Sequence, residues 1–268
     1  MGDPFQAARD LGPSLAKRAQ RIENNRSLPQ DVVDDLTSAG LFRLFTPASL
    51  GGPEVDVATG LNIISEVARY DGGTAWCVMI AATTSLLAGY LDEPFAQESY
   101  GPAESCTGGF AAPFGKAKIV DGGLQVSGTW AWGSGTQHCT WVGGGALLVD
   151  QTDTPIKRAD GLYAPFVFFK RSDVQHLDTW RVTGLSGSGS TDYQVSDVFV
   201  PEGRWVQLMT ATPRLDGPQW RFPFYGILAM GIAAVTVGLL DGAVERFAEL
   251  ATEKKPAGSG RKLAERAS

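Results

Sequence analysis

The hydrophobic period of this 268-residue chain changes twice, and those two changes limit its fold more than any other feature. From Asp3 to about Tyr100 apolar residues recur at helical spacing. In PQDVVDDLTSAGLFRLF, Val32, Leu36 and Leu41 fall near one face and Gly40 offers a stop; Leu61 to Tyr70 sets Ile64, Val67 and Ala68 together. Asp71-Gly72-Gly73 breaks the pattern, and Thr74 is placed to cap the apolar helix that follows. Near Gly101 the period drops to 2 and glycines multiply. KAKIVDGGLQVSGTWAW reads as two strands joined at Asp121-Gly122-Gly123, and TWVGGGALLVD, LYAPFVFFK and TDYQVSDVFVP continue at the intervals of a sandwich or barrel. After Pro223 the helical period returns, with Leu240, Val244, Phe247 and Ala251 forming an apolar stripe before about Lys255.

The expected class is therefore α+β in three parts: a helical domain over 1–103, a middle antiparallel β domain over 104–218, and the start of a C-terminal helical bundle over 219–268. The turn-rich run Asp150 to Asp160 is expected to be a loop on the β domain. The segment KKPAGSGRKLAERAS stops as another helical pattern begins. The expectation is a C-terminal truncation, or a second subunit that covers the long helix.

Composition narrows the functions. The chain is 43% hydrophobic and 19% charged, so it can fill a core; its net charge of −6, without clustered Lys and Arg before the last residues, argues against nucleic acid as a partner. Cys77, Cys106 and Cys139 are odd in number and form no CxxC, which excludes a disulfide framework and a zinc ribbon and fits a reducing cytoplasm. The N-terminus lacks the apolar run of a signal peptide, and Gln6 stands where myristoylation needs Ser or Thr. Ala75 to Leu91 and Tyr225 to Leu240 fall short of the roughly 20 residues that span a bilayer and are expected to be buried helices, with no membrane partner.

Catalytic parts are few. His138 and His176 are the only histidines, and neither has a partner at metal-ligand spacing. Cys139 adjoins His138, but neighbouring strand residues face opposite ways, which disfavours a thiolate pair. Gly184 to Asp192, GLSGSGSTD, has the composition of a phosphate loop but no Lys and no following helix, so it reads as a turn between strands. The most informative run is VSGTWAWGSGTQHCTW. If its strand continues, Trp130, Trp132 and Ser134 share a face, and two indoles beside a hydroxyl can hold a flat conjugated ligand. The alternative is that both indoles fill the core.

The order of GGTAWCVMI, GGFAAPFGKA, VDGGLQVSGTWAWGSG, TGLSGSGSTDYQVSDVFVP and KKPAGSG resembles the acyl-CoA dehydrogenase superfamily of flavoproteins over nearly the whole chain. That resemblance implies FAD, or FMN, between the β domain and a C-terminal four-helix domain, across a subunit boundary in a homo-oligomer. It implies that Trp132 lies beside the isoalloxazine, with Gly133 next to it, and that Ser134 bonds near the reactive nitrogen and C4 carbonyl as the catalytic hydroxyl. Phe110, Ala111, Ala112 and Pro113 match the loop over the other edge of the ring, and Lys254 stands where many members carry an Arg to the neighbouring subunit's diphosphate.

Two departures shift the expected chemistry. Ala111-Ala112-Pro113 replaces the dehydrogenases' Thr-Glu-Pro, and Gly133-Ser134-Gly135 replaces Ile-Thr-Asn. Both resemble relatives that use reduced flavin, supplied by a flavin reductase, and oxygen to hydroxylate or desulfurise small molecules. A reduced-flavin monooxygenase is therefore the first expectation. Dehydrogenation of an acyl thioester is the second; a non-catalytic fragment or assembly subunit is the third. A carbohydrate-binding β module using Trp130, Trp132 and Trp141 would leave the flanking helices without a purpose.

Overall fold

The computed structural model describes residues 2–265. Helix α1 spans Pro4–Asn25, with the Asp3 carboxylate accepting from the Phe5 amide at its start. Helices α2 (Gln30–Ser38), α3 (Val57–Tyr70), α4 (Gly72–Ser85) and α5 (Glu93–Tyr100) follow. Strands are β1 (Thr107–Val120), β2 (Gly123–Trp130), β3 (Trp141–Val149), β4 (Phe166–Lys170), β5 (Gln175–His176), β6 (Tyr193–Pro201) and β7 (Trp205–Val206). The short α6 (Pro218–Arg221) leads into α7 (Phe224–Glu253). The order helices, strands, helix agrees with the period changes. What the sequence analysis expected of the last three residues, 266–268, lies outside the described residues.

Two local expectations need correction. Asp71, not Thr74, caps α4: its carboxylate accepts from the Thr74 amide at 2.7 Å. The pattern does break at Asp71, which ends α3, and the two glycines form the first turn of α4, where their missing side chains let it approach the loop around Gly187. The strands form one seven-stranded sheet in the order β5-β6-β2-β1-β3-β4-β7 rather than two packed sheets. Every pairing is antiparallel except β1 with β3.

That parallel pair shapes everything near the site. β1 and β2 make the expected hairpin at Asp121-Gly122, Val120 opposite Gly123. Because β2 and β3 lie on opposite sides of β1, the chain must leave β2 and pass beyond β1 before β3 can start alongside Thr107. The crossing segment is Ala131 to Thr140. It contains Trp132, Gly133 and Ser134.

The core runs continuously from the helices into the sheet. Ala8, Leu15 and Ile22 of α1 share one buried cluster with Ile63, Ile64 and Val67 of α3, while α4 is buried on nearly every side, as expected of its apolar run. A second cluster lies under α5, where Phe95 meets Trp141 and Phe168 edge to face at 5.0 and 5.5 Å. Helix α7 docks on α3 and α4 through a strip of small residues. A side chain on Gly238 would stand 2.0 Å from the Ser65 carbonyl, and one on Gly242 2.2 Å from that of Arg69. Its opposite face, with Leu240, Val244 and Phe247, is exposed.

The helix approach at Gly238 is backbone to backbone and cannot relax by a rotamer change. Gly238→Leu is expected to destabilise the fold by roughly 3 kcal/mol or more through overpacking. Chemical denaturation of the variant beside Leu240→Ala, which alters only the exposed face, checks this.

Candidate functional site

The crossing segment begins where Trp130 ends β2. Trp130 is fully buried, donates from Nε1 to the Gly145 carbonyl at 2.8 Å and stacks on Tyr193 at 5.3 Å. The strand alternation stops there. Trp132 takes a left-handed backbone, φ 58°, and the residue is 57% exposed. The shared face expected for Trp130 and Trp132 is thus absent: one indole is core and the other surface. A left-handed tryptophan costs roughly 1–2 kcal/mol and an exposed indole forgoes burial, so two unfavourable choices meet at one residue.

Phe110 meets Trp132 edge to face at 5.6 Å, and Phe114 at the same distance with its ring tilted by 33°. Phe110 to Pro113 lie in β1 rather than in a loop, but the β1–β3 register shifts between Phe110 and Pro113 and again before Gly115. Ala111 and Ala112 have no partner on β3, so the bulge gives the strand a loop's freedom at that point. The Tyr193 hydroxyl anchors the bulge, accepting from the Phe110 amide at 2.9 Å and donating to the Gly143 carbonyl.

Ser134 is buried, its hydroxyl 3.0 Å from the Trp76 indole nitrogen and 2.7 Å from the Ser190 hydroxyl, which lies 2.7 Å from that of Ser188. Gly133 donates to the Thr191 carbonyl and Gly135 to that of Ser188, tying the crossing segment to the serine loop. The loop is tied to α1 in turn, since the Ser186 amide donates to Glu23 at 3.0 Å.

Beside these residues lies a cavity of about 610 Å³ between α4, β1, β4 and the first turns of α7. Trp76, Phe110, Phe166, Phe224 and Tyr225 supply its aromatic walls, and Ala111, Ala112 and Pro113 its rim. Among the described residues no charged side chain lines it; Thr84 and Tyr225 carry the side-chain hydroxyls. Ser134 and Trp132 stand one residue behind the wall, each joined to a residue that lines it, Trp76 and Phe110 respectively.

Lys254 is not brought to this cluster. It caps the far end of α7, 22 residues beyond the cavity-lining Ile232, about 33 Å along the helix at 1.5 Å per residue. Nor do the histidines enter. His138 stacks on Phe42 at 5.0 Å with its Nε2 unpartnered, and burial lowers its pKa to about 4. His176 bonds the Thr136 hydroxyl at 3.0 Å and is lowered to about 4 by burial and by Arg171. All three cysteines are buried and free; the sulfurs of Cys106 and Cys139 lie 3.7 Å apart although 33 residues separate them.

Sequence reasoning missed Trp76, Thr84, Ser188 and Ser190. Trp76 sat in an apolar run that gave no sign of its polar end, and the serines sat in a segment read as a plain turn. The excess of hydroxyls in GLSGSGSTD was the available signal.

A helical layer, a sheet with one forced crossover and a returning helix define an α+β protein with a largely apolar cavity where the three meet. Residues 7–94 match the family described as acyl-CoA dehydrogenase, N-terminal domain. The chain is 30% identical over 254 residues to a pigment production hydroxylase of a Rhodococcus species, covering 91% of this chain and 64% of that protein. It is 31% identical over 250 residues to the flavin-dependent monooxygenase oxygenase subunit HsaA of Rhodococcus jostii, covering 89% and 63%. The structure of XiaF from a Streptomyces species, in complex with FADH2 and glycerol, superposes with a TM-score of 0.87 at 26% identity, covering 97% of this chain and 66% of that one. Residues 7–94 thus carry an acyl-CoA dehydrogenase N-terminal domain, and the chain spans a little under two thirds of the length of these curated relatives.

His138 predicts an acid limit on stability. Its native pKa lies below the ordinary 6.5, so between those values the unfolded state binds the proton and the folded state does not. The contribution, no more than about 3 kcal/mol, is complete above pH 6.5 and is lost as pH falls toward 4. His138→Gln is expected to flatten that part of a stability–pH curve measured by urea unfolding.

Proposed function

We propose that this chain forms the flavin-holding part of a monooxygenase that takes reduced FAD or FMN from a separate flavin reductase and hydroxylates a small aromatic molecule with oxygen. The observation that carries the reading is the apolar cavity beside an exposed, left-handed Trp132, a bulged Phe110 to Pro113 segment and the buried Ser134 hydroxyl. Those residues fit a flavin: Trp132 offers a free aromatic face, the Ala111 and Ala112 peptides are released from the ladder, and Ser134 offers a hydroxyl to the ring's polar edge. When bound, the flavin supplies oxygen activation. The chain's residues orient the ring and exclude water, while Ser134 holds a proton at its hydroxyl.

The cavity wall also speaks to the substrate. Burying a charge beside Phe110, Phe166 and Phe224 without a counter-charge costs several kcal/mol, so the part of the substrate that enters is neutral and aromatic. Dehydrogenation of an acyl thioester requires a carboxylate base near the reacting carbon, and no Asp or Glu lines the cavity among the described residues. Lys254, remote from this cavity and exposed, is available to a flavin phosphate in a neighbouring subunit of a homo-oligomer. The names of the relatives support the same reading: a hydroxylase and a flavin-dependent oxygenase subunit.

Flavin titration of the full-length protein, read by absorbance and run beside light scattering for mass, tests the proposal; a folded protein that binds neither FAD nor FMN in either redox state would sink it. Trp132→Ala is expected to weaken flavin binding about tenfold, the loss of one stacking contact. Ser134→Ala is expected to slow product formation on the order of a hundredfold while changing flavin affinity by less than about threefold. Wild-type affinity and turnover in both variants would remove these residues from the site.

A further inference from the structure

The Ser134 hydroxyl is the last of three in a row, and the row has a direction. We propose that Ser190, backed by Ser188 and aided by Trp76, fixes Ser134 as a hydrogen-bond donor toward the bound ligand; the inference rests on the flavin reading given above. Ser190 and Ser188 are positioning residues, acting through Ser134.

The argument is a count of protons and lone pairs. A serine hydroxyl has one proton and two acceptor sites, and an indole N–H only donates. Trp76 Nε1, 3.0 Å from Ser134 Oγ, therefore occupies one of the two acceptor sites. The 2.7 Å bonds from Ser134 to Ser190 and from Ser190 to Ser188 can both run inward, both run outward, or converge on Ser190; convergence would strand the Ser190 proton on a side chain that is itself buried, which leaves the two one-way directions. If Ser134 donates inward, Ser190 donates to Ser188, and the Ser188 proton is left over at a side chain 1% exposed whose hydroxyl has no other partner. If Ser188 donates outward, Ser190 donates to Ser134, both Ser134 acceptor sites are filled, and the proton left over is that of Ser134.

The two directions are not equal in cost. A stranded donor at Ser188 would sit on a side chain that is almost wholly buried and, among the described residues, meets only the Ser190 hydroxyl. A free proton at Ser134 lies beside Trp76, which lines the cavity, where a ligand acceptor can meet it. The outward direction leaves no buried donor unsatisfied once the ligand is bound, and a chain of hydroxyls polarised one way strengthens its terminal donor. Geometry holds the row in place: Gly135 donates to the Ser188 carbonyl at 3.0 Å, and Ser186 is fastened to Glu23.

A structural serine ladder and a donor-setting relay differ in what removal of the middle member does to the flavin. The experiment uses the full-length protein with Ser190→Ala, Ser190→Thr, Ser188→Ala and Ser134→Ala. For each, the visible spectrum of bound oxidised flavin, its affinity, and the product formed and hydrogen peroxide released per oxygen consumed are measured. Expected is a spectral shift in Ser190→Ala of the same sign as in Ser134→Ala, affinity held within about threefold, and product per oxygen lowered at least about fivefold with peroxide rising to match. Ser190→Thr, which keeps the hydroxyl, is expected to restore both, and Ser188→Ala to give a weaker form of the same change. If Ser190→Ala does not fold, the Ser188→Ala and Ser190→Thr pair decides. Wild-type spectrum and coupling in Ser190→Ala and Ser188→Ala would overturn the relay alone; a wild-type protein that binds no flavin would overturn the proposed function and the relay with it.

Discussion

The burial of the Trp130 indole organises the sheet. Side chains on Gly115 of β1, Gly128 of β2 or Gly144 of β3 would stand within 2.7 Å of its ring, so three neighbouring strands are stripped to backbone to make room for one residue. The ring fills the space, stacks on Tyr193 and satisfies its own N–H on the Gly145 carbonyl. Such an anchor at the end of β2 fixes where the chain leaves the sheet. The parallel placement of β3 then fixes where it must return. The segment between those two points has little choice of path, which is how a tryptophan can be held exposed and left-handed at Trp132.

Tyr193 extends the same logic to the other wall. One face of its ring carries Trp130, while its hydroxyl takes the Phe110 amide and reaches the Gly143 carbonyl. The bulge that frees Ala111 and Ala112 is thereby pinned to the sheet centre. Rigid aromatic packing and an irregular stretch of the central strand are consequences of one arrangement, and the cavity lies against that irregular stretch.

Much of this was legible in residue order. The two changes of period marked the three regions, the Asp121-Gly122 turn set the first hairpin, and the resemblance singled out Trp132 and Ser134. Period-2 reasoning went astray at Trp132 because alternation holds only while a strand lasts, and β2 ends at Trp130. Thr74 was assigned a cap that belongs to Asp71, since two glycines look like a break even where they begin a helix. The serine row was invisible for a different reason. Trp76 is 58 residues from Ser134, and Ser190 is 56 from it on the other side, so no window of sequence contains the interaction.

That separation has a consequence for folding. The row and the indole that meets it are gathered from three parts of the chain: Trp76 from a helix, Ser134 from the crossover, and Ser188 with Ser190 from a late loop held against the first helix by Glu23. Closing such long loops costs entropy that only the finished core repays, so these bonds form among the last contacts. A chain that has made its hairpins but not yet docked α1 and α4 has strands and an anchored Trp130, yet no oriented Ser134. The geometry around Ser134 is thereby coupled to completion of the fold, and only a chain with every layer docked presents that hydroxyl in its final setting.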